Sequence, residues 1–158
     1  MKRRHGVGVI ADTHGLLRPE ALEALRGSDL IVHAGDVGTP DVLRALEELA
    51  PVVAVRGNND RGPWASALPV VEVLELGWAS LYVLHDLNGL DLDPRAAGFS
   101  AVIAGHSHQP RSEERDGVLY FNPGSAGPRR FRLPVSVGHL VIEGARVTGV
   151  LETLEIGT

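Results

Sequence analysis

Five short apolar runs in this chain each lead into a residue able to bind a metal. Val7–Ala11 runs into Asp12-Thr13-His14-Gly15, Leu30–Ala34 into Gly35-Asp36, and Val52–Val55 through Arg56 into Gly57-Asn58-Asn59-Asp60. Leu81–Leu84 ends at His85, and Ala101–Ala104 runs into Gly105-His106-Ser107-His108. Runs of four or five apolar residues between turn signals read as buried strands. In open α/β sheets, ligands gather beyond the carboxyl ends of strands, so the repetition predicts strands of one sheet that deliver polar side chains to a common edge.

The connections support an α/β fold. Arg18-Pro19-Glu20 opens a predicted helix through Arg26, which Gly27 stops; proline suits the first turn and glycine the residue past the end. Thr39 reads as the N-cap of a second helix with Pro40 at its first position, and Val42, Leu43, Leu46 and Leu49 form a stripe at helical spacing. The βαβαβ order implies parallel strands joined by right-handed crossovers. The second half changes to short strands at Val70–Leu76, Ser80–Leu84, Ala101–Ala104, Val118–Phe121, Pro134–Ile142 and Arg146–Leu151. A hairpin turn is expected at Gly144, and a short helix at Asp93–Ala97. Two packed sheets flanked by helices, with the polar residues at one rim, follow as the architecture.

The chain has 158 residues, 44% of them hydrophobic and 22% charged, which suits one globular domain over 1–158. The net charge of −5 argues against a stable nucleic-acid complex, which needs a cationic face. There is no cysteine, so thiolate metal sites, disulfides and cysteine nucleophiles are all excluded. The basic start Met1–His5 precedes too short an apolar run for a signal peptide, and no stretch approaches membrane-spanning length. No membrane association and a cytoplasmic location are therefore expected.

Asp12, His14, Asp36, Asn58, His85, His106 and His108 together comprise four histidines, two aspartates and one asparagine, all at predicted strand ends. Imidazole and carboxylate without sulfur suit manganese, iron, zinc or nickel. Seven residues exceed what one tetrahedral ion uses; with one shared carboxylate they serve two ions, each keeping an open position. Two divalent ions bring +4 against −2 from the aspartates, and the remaining charge of about +2 attracts phosphate and acidifies bound water.

Asp-x-His, Gly-Asp, Gly-Asn-x-Asp, His and Gly-His-x-His, in this order over roughly residues 7 to 130, resemble the calcineurin-like metallophosphoesterases. Phe121-Asn122-Pro123-Gly124-Ser125 and the short length are most similar to their small prokaryotic phosphodiesterases. The resemblance implies a four-layer α/β/β/α sandwich of two mixed sheets flanked by helices. It also implies a dinuclear metal-dependent phosphodiesterase in which metal-bound hydroxide attacks phosphorus. One ion would be held by Asp12, His14, Asp36 and His108, and the other by Asp36, Asn58, His85 and His106. Manganese is the first expectation, with iron, nickel or zinc as alternatives.

Many larger relatives have a histidine directly after the metal-binding asparagine, as a proton donor to the leaving oxygen. Asn59 stands there instead and cannot be a useful general acid, which predicts a preference for good leaving groups. Asn59 and Asp60 complete the candidate catalytic set, with Asp60 also able to orient Asn58 or cap the turn at Arg61–Pro63. Asp86 replaces the subgroup's usual glycine, either adding charge near the second ion or pointing into a loop. His33 could brace a ligand, and Arg129 and Arg130 could meet phosphate, although solvated arginines are the simpler reading. His5 and His139 have no ligand-like context.

The expected partner is a small phosphodiester, cyclic nucleotides included, and a homodimer follows only from base rates. Alternative readings are a catalytically weak protein-binding scaffold on the same fold, such as the retromer subunit that resembles this family, and a phosphomonoesterase.

Overall fold

The computed structural model describes residues 4–130 and 132–156. The first three residues of the basic start lie outside them. The first sheet contains β1 (Arg4–Ile10), β2 (Leu30–His33), β3 (Val52–Ala54), β9 (Ser136–Glu143) and β10 (Arg146–Thr153), in the order β10-β9-β1-β2-β3. The second contains β4 (Val71–Leu76), β5 (Ala79–Leu84), β6 (Ala101–Ile103), β7 (Arg111–Arg115) and β8 (Val118–Asn122), in the order β4-β5-β6-β8-β7. Both sheets are mixed: β1-β2-β3 and β5-β6-β8 pair in parallel, and the remaining neighbours are antiparallel.

The five polar-ended runs therefore belong to two sheets, not one. Side chains from the facing sheets, including Val9, Val32 and Val55 from the first and Leu81, Ile103 and Phe121 from the second, form one buried core. Face-to-face packing brings the carboxyl ends of β1, β2 and β3 beside those of β5 and β6, so the common edge is the rim of a sandwich.

The helices α1 (Pro19–Leu25) and α2 (Pro40–Glu47) cover the outer face of the first sheet. Ala21, Leu25, Val42 and Leu46 meet Ile10 and Ile31 there. Thr39 occupies the N-cap of α2, but its side chain makes no capping bond. The outer layer on the second sheet is thin: a 3-10 turn at Leu87–Gly89 and the loop after it lay Leu87, Leu90, Leu92 and Phe99 over Tyr82, Leu84 and Val102. Among the described residues no helix is long and apolar enough to cross a membrane.

Three local expectations need correction. Asp93–Ala97 makes a single turn, with the Asp93 carboxylate accepting from the Arg95 and Ala96 N–H groups and Gly98 at φ +87° ending it. A one-turn helix, α3 (Pro63–Ser66), follows the turn at Arg61–Pro63, where no helix was expected. β7 was not expected as a strand. Arg-Ser-Glu-Glu-Arg has no apolar face and is a charged sheet edge, a composition that blunts edge-to-edge pairing and hides the strand from apolar periodicity.

Candidate metal centre

The turns after β1 and β2 extend the sheet ladder beyond the strands. The Asp12 N–H donates to the Gly35 carbonyl at 3.0 Å, His14 to Asp36 at 2.9 Å and Gly15 to Val37 at 2.8 Å. From the second sheet, the Gly105 N–H donates to the His85 carbonyl at 2.9 Å. The sheets are joined where the His106 N–H donates to Asp12 Oδ2 at 3.1 Å.

These turns hold their backbones in an uncommon state. Among the described residues, the non-glycine residues with positive φ are Asp12, His14, Asp36, His106, His108 and Asp116. The first five are candidate ligands, whereas Asp116 sits in the β7–β8 hairpin. Left-handed backbone at a non-glycine residue costs free energy and persists where the surroundings force it, which is common at functional sites. Two glycines are required by close approach. A Cβ on Gly35, at φ +103°, would lie 2.5 Å from His85 Nδ1, and one on Gly57 would collide with the Asp36 backbone nitrogen and Oδ1.

The side chains converge on Asp12, which is fully buried. Its Oδ1 has no hydrogen-bond partner among the described residues and is ringed by three imidazole nitrogens: His108 Nε2 at 3.6 Å, His85 Nε2 at 3.8 Å and His14 Nε2 at 4.0 Å. Asp36 Oδ2 lies 3.3 Å from His85 Nε2 and 3.7 Å from His14 Nε2. His14 Nε2, His85 Nε2 and His108 Nδ1 are likewise buried without partners.

Buried polar atoms are ordinarily satisfied, so four orphans in one cluster need a reason. Most of these separations are long for hydrogen bonds; two ligands about 2.1 Å from one ion at 90–110° lie about 3.0–3.4 Å apart, so the 3.3 Å pair of His85 and Asp36 already has ligand spacing and the pairs at 3.6–4.0 Å would draw in around an ion or meet it at wider angles. Asp12 Oδ1, His14 Nε2 and His85 Nε2, all orphaned, thus suit a cation, with His108 Nε2 beside them. Two sets of donor atoms each fall within 4.8 Å of one another: Asp12, His14 and His108, and Asp12, Asp36 and His85. His85 Nδ1–H donates to the Ala34 carbonyl at 2.7 Å, which leaves the Nε2 lone pair to face the carboxylates.

The electrostatics show the cost of packing these carboxylates and imidazoles together. Burial, reinforced by the Asp36 charge, pushes the Asp12 carboxyl up to about 7. Burial would also raise Asp36, but the His85 imidazole and the Asn59 donors outweigh it and hold that carboxyl well below its usual range. Burial opposes charge on His85, yet contact with Asp36 and the Ala34 carbonyl raises its pKa. His108 is pushed down to about 4 by burial and the nearby Arg130 and His14. A metal and a proton therefore compete for the space between these carboxylates and imidazoles.

Asn58 and His106 stand outside the tight cluster. Asn58 is exposed and lines a cavity of about 310 Å³ with His85. His106 is exposed, its ring edge-on to His85 at 5.2 Å, with Nε2 3.7 Å from Asp86 Oδ2. Asp86 Oδ1 accepts from the Asn88 N–H, so this residue both caps the 3-10 turn and places charge beside His106.

The two candidate catalytic residues are engaged by the site's own residues. Asn59 is a brace: its backbone N–H donates to Asp36 Oδ1 at 2.9 Å and its Nδ2 to Asp36 Oδ2 at 3.1 Å. Asp60 is a buried clasp, accepting from the N–H groups of Gly57 at 2.8 Å, Gly38 at 2.9 Å and Val37 at 3.2 Å. Its carboxylate ties the Asn58 loop to the Asp36 loop and has no free oxygen to offer a substrate. It does not cap the 61–63 turn.

Other braces surround the ligands, among them His33, which the sequence already offered for that role. His33 Nδ1 accepts from the Gly35 N–H at 3.1 Å, so its Nε2–H donates to Thr13 Oγ1 at 3.0 Å, and the Thr13 hydroxyl donates to the Val37 carbonyl at 2.7 Å. Full burial beside His85 pushes His33 down to about 3, which keeps it neutral for this role. Ser125 Oγ donates to the Asp12 carbonyl at 3.1 Å, and Asn122 Nδ2 to the Gly105 carbonyl at 2.9 Å, so the 122–125 turn supports both halves of the site. Arg129 and Arg130 are exposed. His139 pairs with Glu152 across β9 and β10 at 2.7 Å, away from the site.

A family model for the calcineurin-like phosphoesterase superfamily domain matches residues 6–145. The chain belongs to that superfamily. A probable metallophosphoesterase of Methanothermobacter thermautotrophicus is 38% identical, covering 89% of this chain and 88% of its own. Phosphodiesterase YfcE of Escherichia coli K12 is 29% identical, with 82% and 84% covered. Among solved structures, Vacuolar Protein Sorting 29 from Cryptosporidium parvum superposes with a TM-score of 0.82 at 21% identity, covering 98% of this chain and 94% of that one. The last likeness is one of fold. This calcineurin-like phosphoesterase thus has the α/β/β/α sandwich of its superfamily, with the layer over its second sheet reduced to a turn and loop.

Proposed function

We propose that this phosphoester hydrolase is a dinuclear metal-dependent phosphodiesterase acting on small phosphodiesters. The observation that carries the reading is the cluster of orphaned atoms around Asp12: one buried carboxylate oxygen and three imidazoles with unpartnered nitrogens, on strained turns from both sheets. Asp12, His14, Asp36 and His108 would hold one ion, and Asp36, Asn58, His85 and His106 the other, with rotation of exposed Asn58 and His106 completing the second set. Manganese is the first candidate, with iron, nickel or zinc as alternatives. When bound, the ions supply an acidified water as nucleophile and positive charge for the phosphoryl oxygens.

The chain's own residues orient and neutralise. Asn59 fixes both oxygens of Asp36, His85 is aimed by the Ala34 carbonyl, and Asp60 locks the loops that bear Asp36 and Asn58. Such partners of metal ligands typically contribute about 10–100-fold to affinity or activity. An intact donor set favours an enzyme over a scaffold.

The direct test is hydrolysis of bis(p-nitrophenyl) phosphate by chelator-stripped protein reloaded with Mn²⁺, Fe²⁺, Ni²⁺ or Zn²⁺. Turnover should return with at least one ion and vanish again in EDTA; no turnover with any of the four rejects the proposal. Phenyl phosphate assayed in parallel separates diesterase from monoesterase.

Asn59 leads to a second expectation. With its amide spent on Asp36, Asn59 has no proton to give the leaving oxygen, which departs with little protonation from this position. Aryl diesters should therefore turn over at least ~100-fold faster than dialkyl diesters, the scale of a missing general acid. Equal kcat on both, with chemistry rate-limiting, contradicts this.

A further inference from the structure

The thin layer over the second sheet leaves a cavity of about 440 Å³ beside His106, in the ~300–1,000 Å³ range of small-molecule sites. Its floor is the outer sheet face at Val102, Ala104 and Tyr120, and Leu87 and Asn88 of the 3-10 turn flank it. The 105–109 loop supplies His106 and Gln109 to its wall. One wall is thus a candidate ligand of the metal centre, so a group esterified to a phosphate held there reaches the cavity directly.

The lining selects what enters. Tyr120, whose ring already carries the Arg115 guanidinium 4.2 Å from its centroid, lines the cavity with what that contact leaves open, and with the aliphatic floor it suits a flat ring. The exposed side-chain amides of Asn88 and Gln109 make no hydrogen bond among the described residues, which leaves paired donors and acceptors for a ring edge. A second anionic group finds little welcome: Arg111 is paired with Glu113, and Asp86 adds negative charge. We propose that this cavity binds an uncharged, hydrogen-bonding heteroaromatic ester group of the substrate, of nucleobase size, while its phosphate sits on the metal centre. This rests on the phosphodiesterase reading and adds the chemical class of one ester group.

The test compares product-like inhibitors of bis(p-nitrophenyl) phosphate hydrolysis by the metal-loaded protein: inorganic phosphate, methyl phosphate and the nucleoside 5′-monophosphates. Base–aromatic stacking should make at least one nucleotide bind roughly ten-fold tighter than methyl phosphate. Gln109→Trp, at an exposed position, fills the mouth, and Tyr120→Leu removes the stacking ring; each should reduce that advantage to within about two-fold. Inhibition by inorganic phosphate should stay unchanged in both, which shows that fold and metal centre are intact. Nucleotides that bind no better than methyl phosphate, or an advantage that survives both substitutions, overturn the inference while leaving the phosphodiesterase reading standing. Absence of turnover in the unsubstituted protein removes both.

Discussion

Asp36→Asn is expected to lower kcat/KM on an aryl phosphodiester by about 10³-fold or more, with the protein still folded. Asp36 lies within 3.7 Å of two imidazole nitrogens and is kept ionised by the Asn59 donors, so it offers a fixed negative charge to cations. Asparagine keeps the shape and removes the charge on which divalent-ion affinity and positioning depend. The fold should tolerate the change, since one amide oxygen still accepts from Asn59. Steady-state kinetics with metal content measured on the same sample checks this. Activity and stoichiometry within two-fold of the unsubstituted protein would refute the placement of a metal at Asp36. Asn59→Ala provides a graded comparison: the Nδ2 bond goes while the backbone bond and the charge remain, so the loss should be about 10-fold.

Asp60→Ala should produce the largest loss of stability among single substitutions outside the apolar core. Its carboxylate satisfies three backbone N–H groups, those of Gly57 and Val37 in buried bonds. An orphaned buried donor costs about 1–3 kcal/mol, and water will reach some of these, so a loss of about 3–5 kcal/mol is expected. At about 2–4 °C per kcal/mol for a chain of this length, Tm should fall by roughly 10 °C. Asp60→Asn, which keeps one acceptor oxygen and puts a donor against the remaining N–H groups, should fall between the two. Calorimetry under metal-free conditions isolates this effect from ligand linkage, because a bound ion stabilises the native state by mass action. A Tm within 2 °C of the parent would mean that the two loops are held together by other means.

Most of the candidate cluster was legible in the chain because its information is local. A strand must end, and the polar residue just past its end is visible without knowing its neighbours. Repetition of that pattern five times, in a set order, singled out Asp12, His14, Asp36, His85 and His108, which the fold brings together. It also placed Asn58 and His106 at the same rim, although both remain outside the tight group. The roles of Asn59 and Asp60 could not be read this way. Each faces a partner more than twenty residues away, and sequence spacing does not say whether a carboxylate points at substrate or at backbone N–H groups. The Thr13–His33 link and the Ser125 bond to Asp12 are hidden for the same reason.

By itself the sequence determined α1, α2 and every strand but β7 in their order, the parallel first half and the chemical character of the rim, since periodicity, caps and residue type act over a few neighbours. Tertiary structure alone decided that two sheets rather than one share that rim, that Asp12 is the point where the imidazoles meet, and that a cavity opens beside His106. Those outcomes depend on how two faces pack at close range, and packing is set by contacts among residues that are remote along the chain.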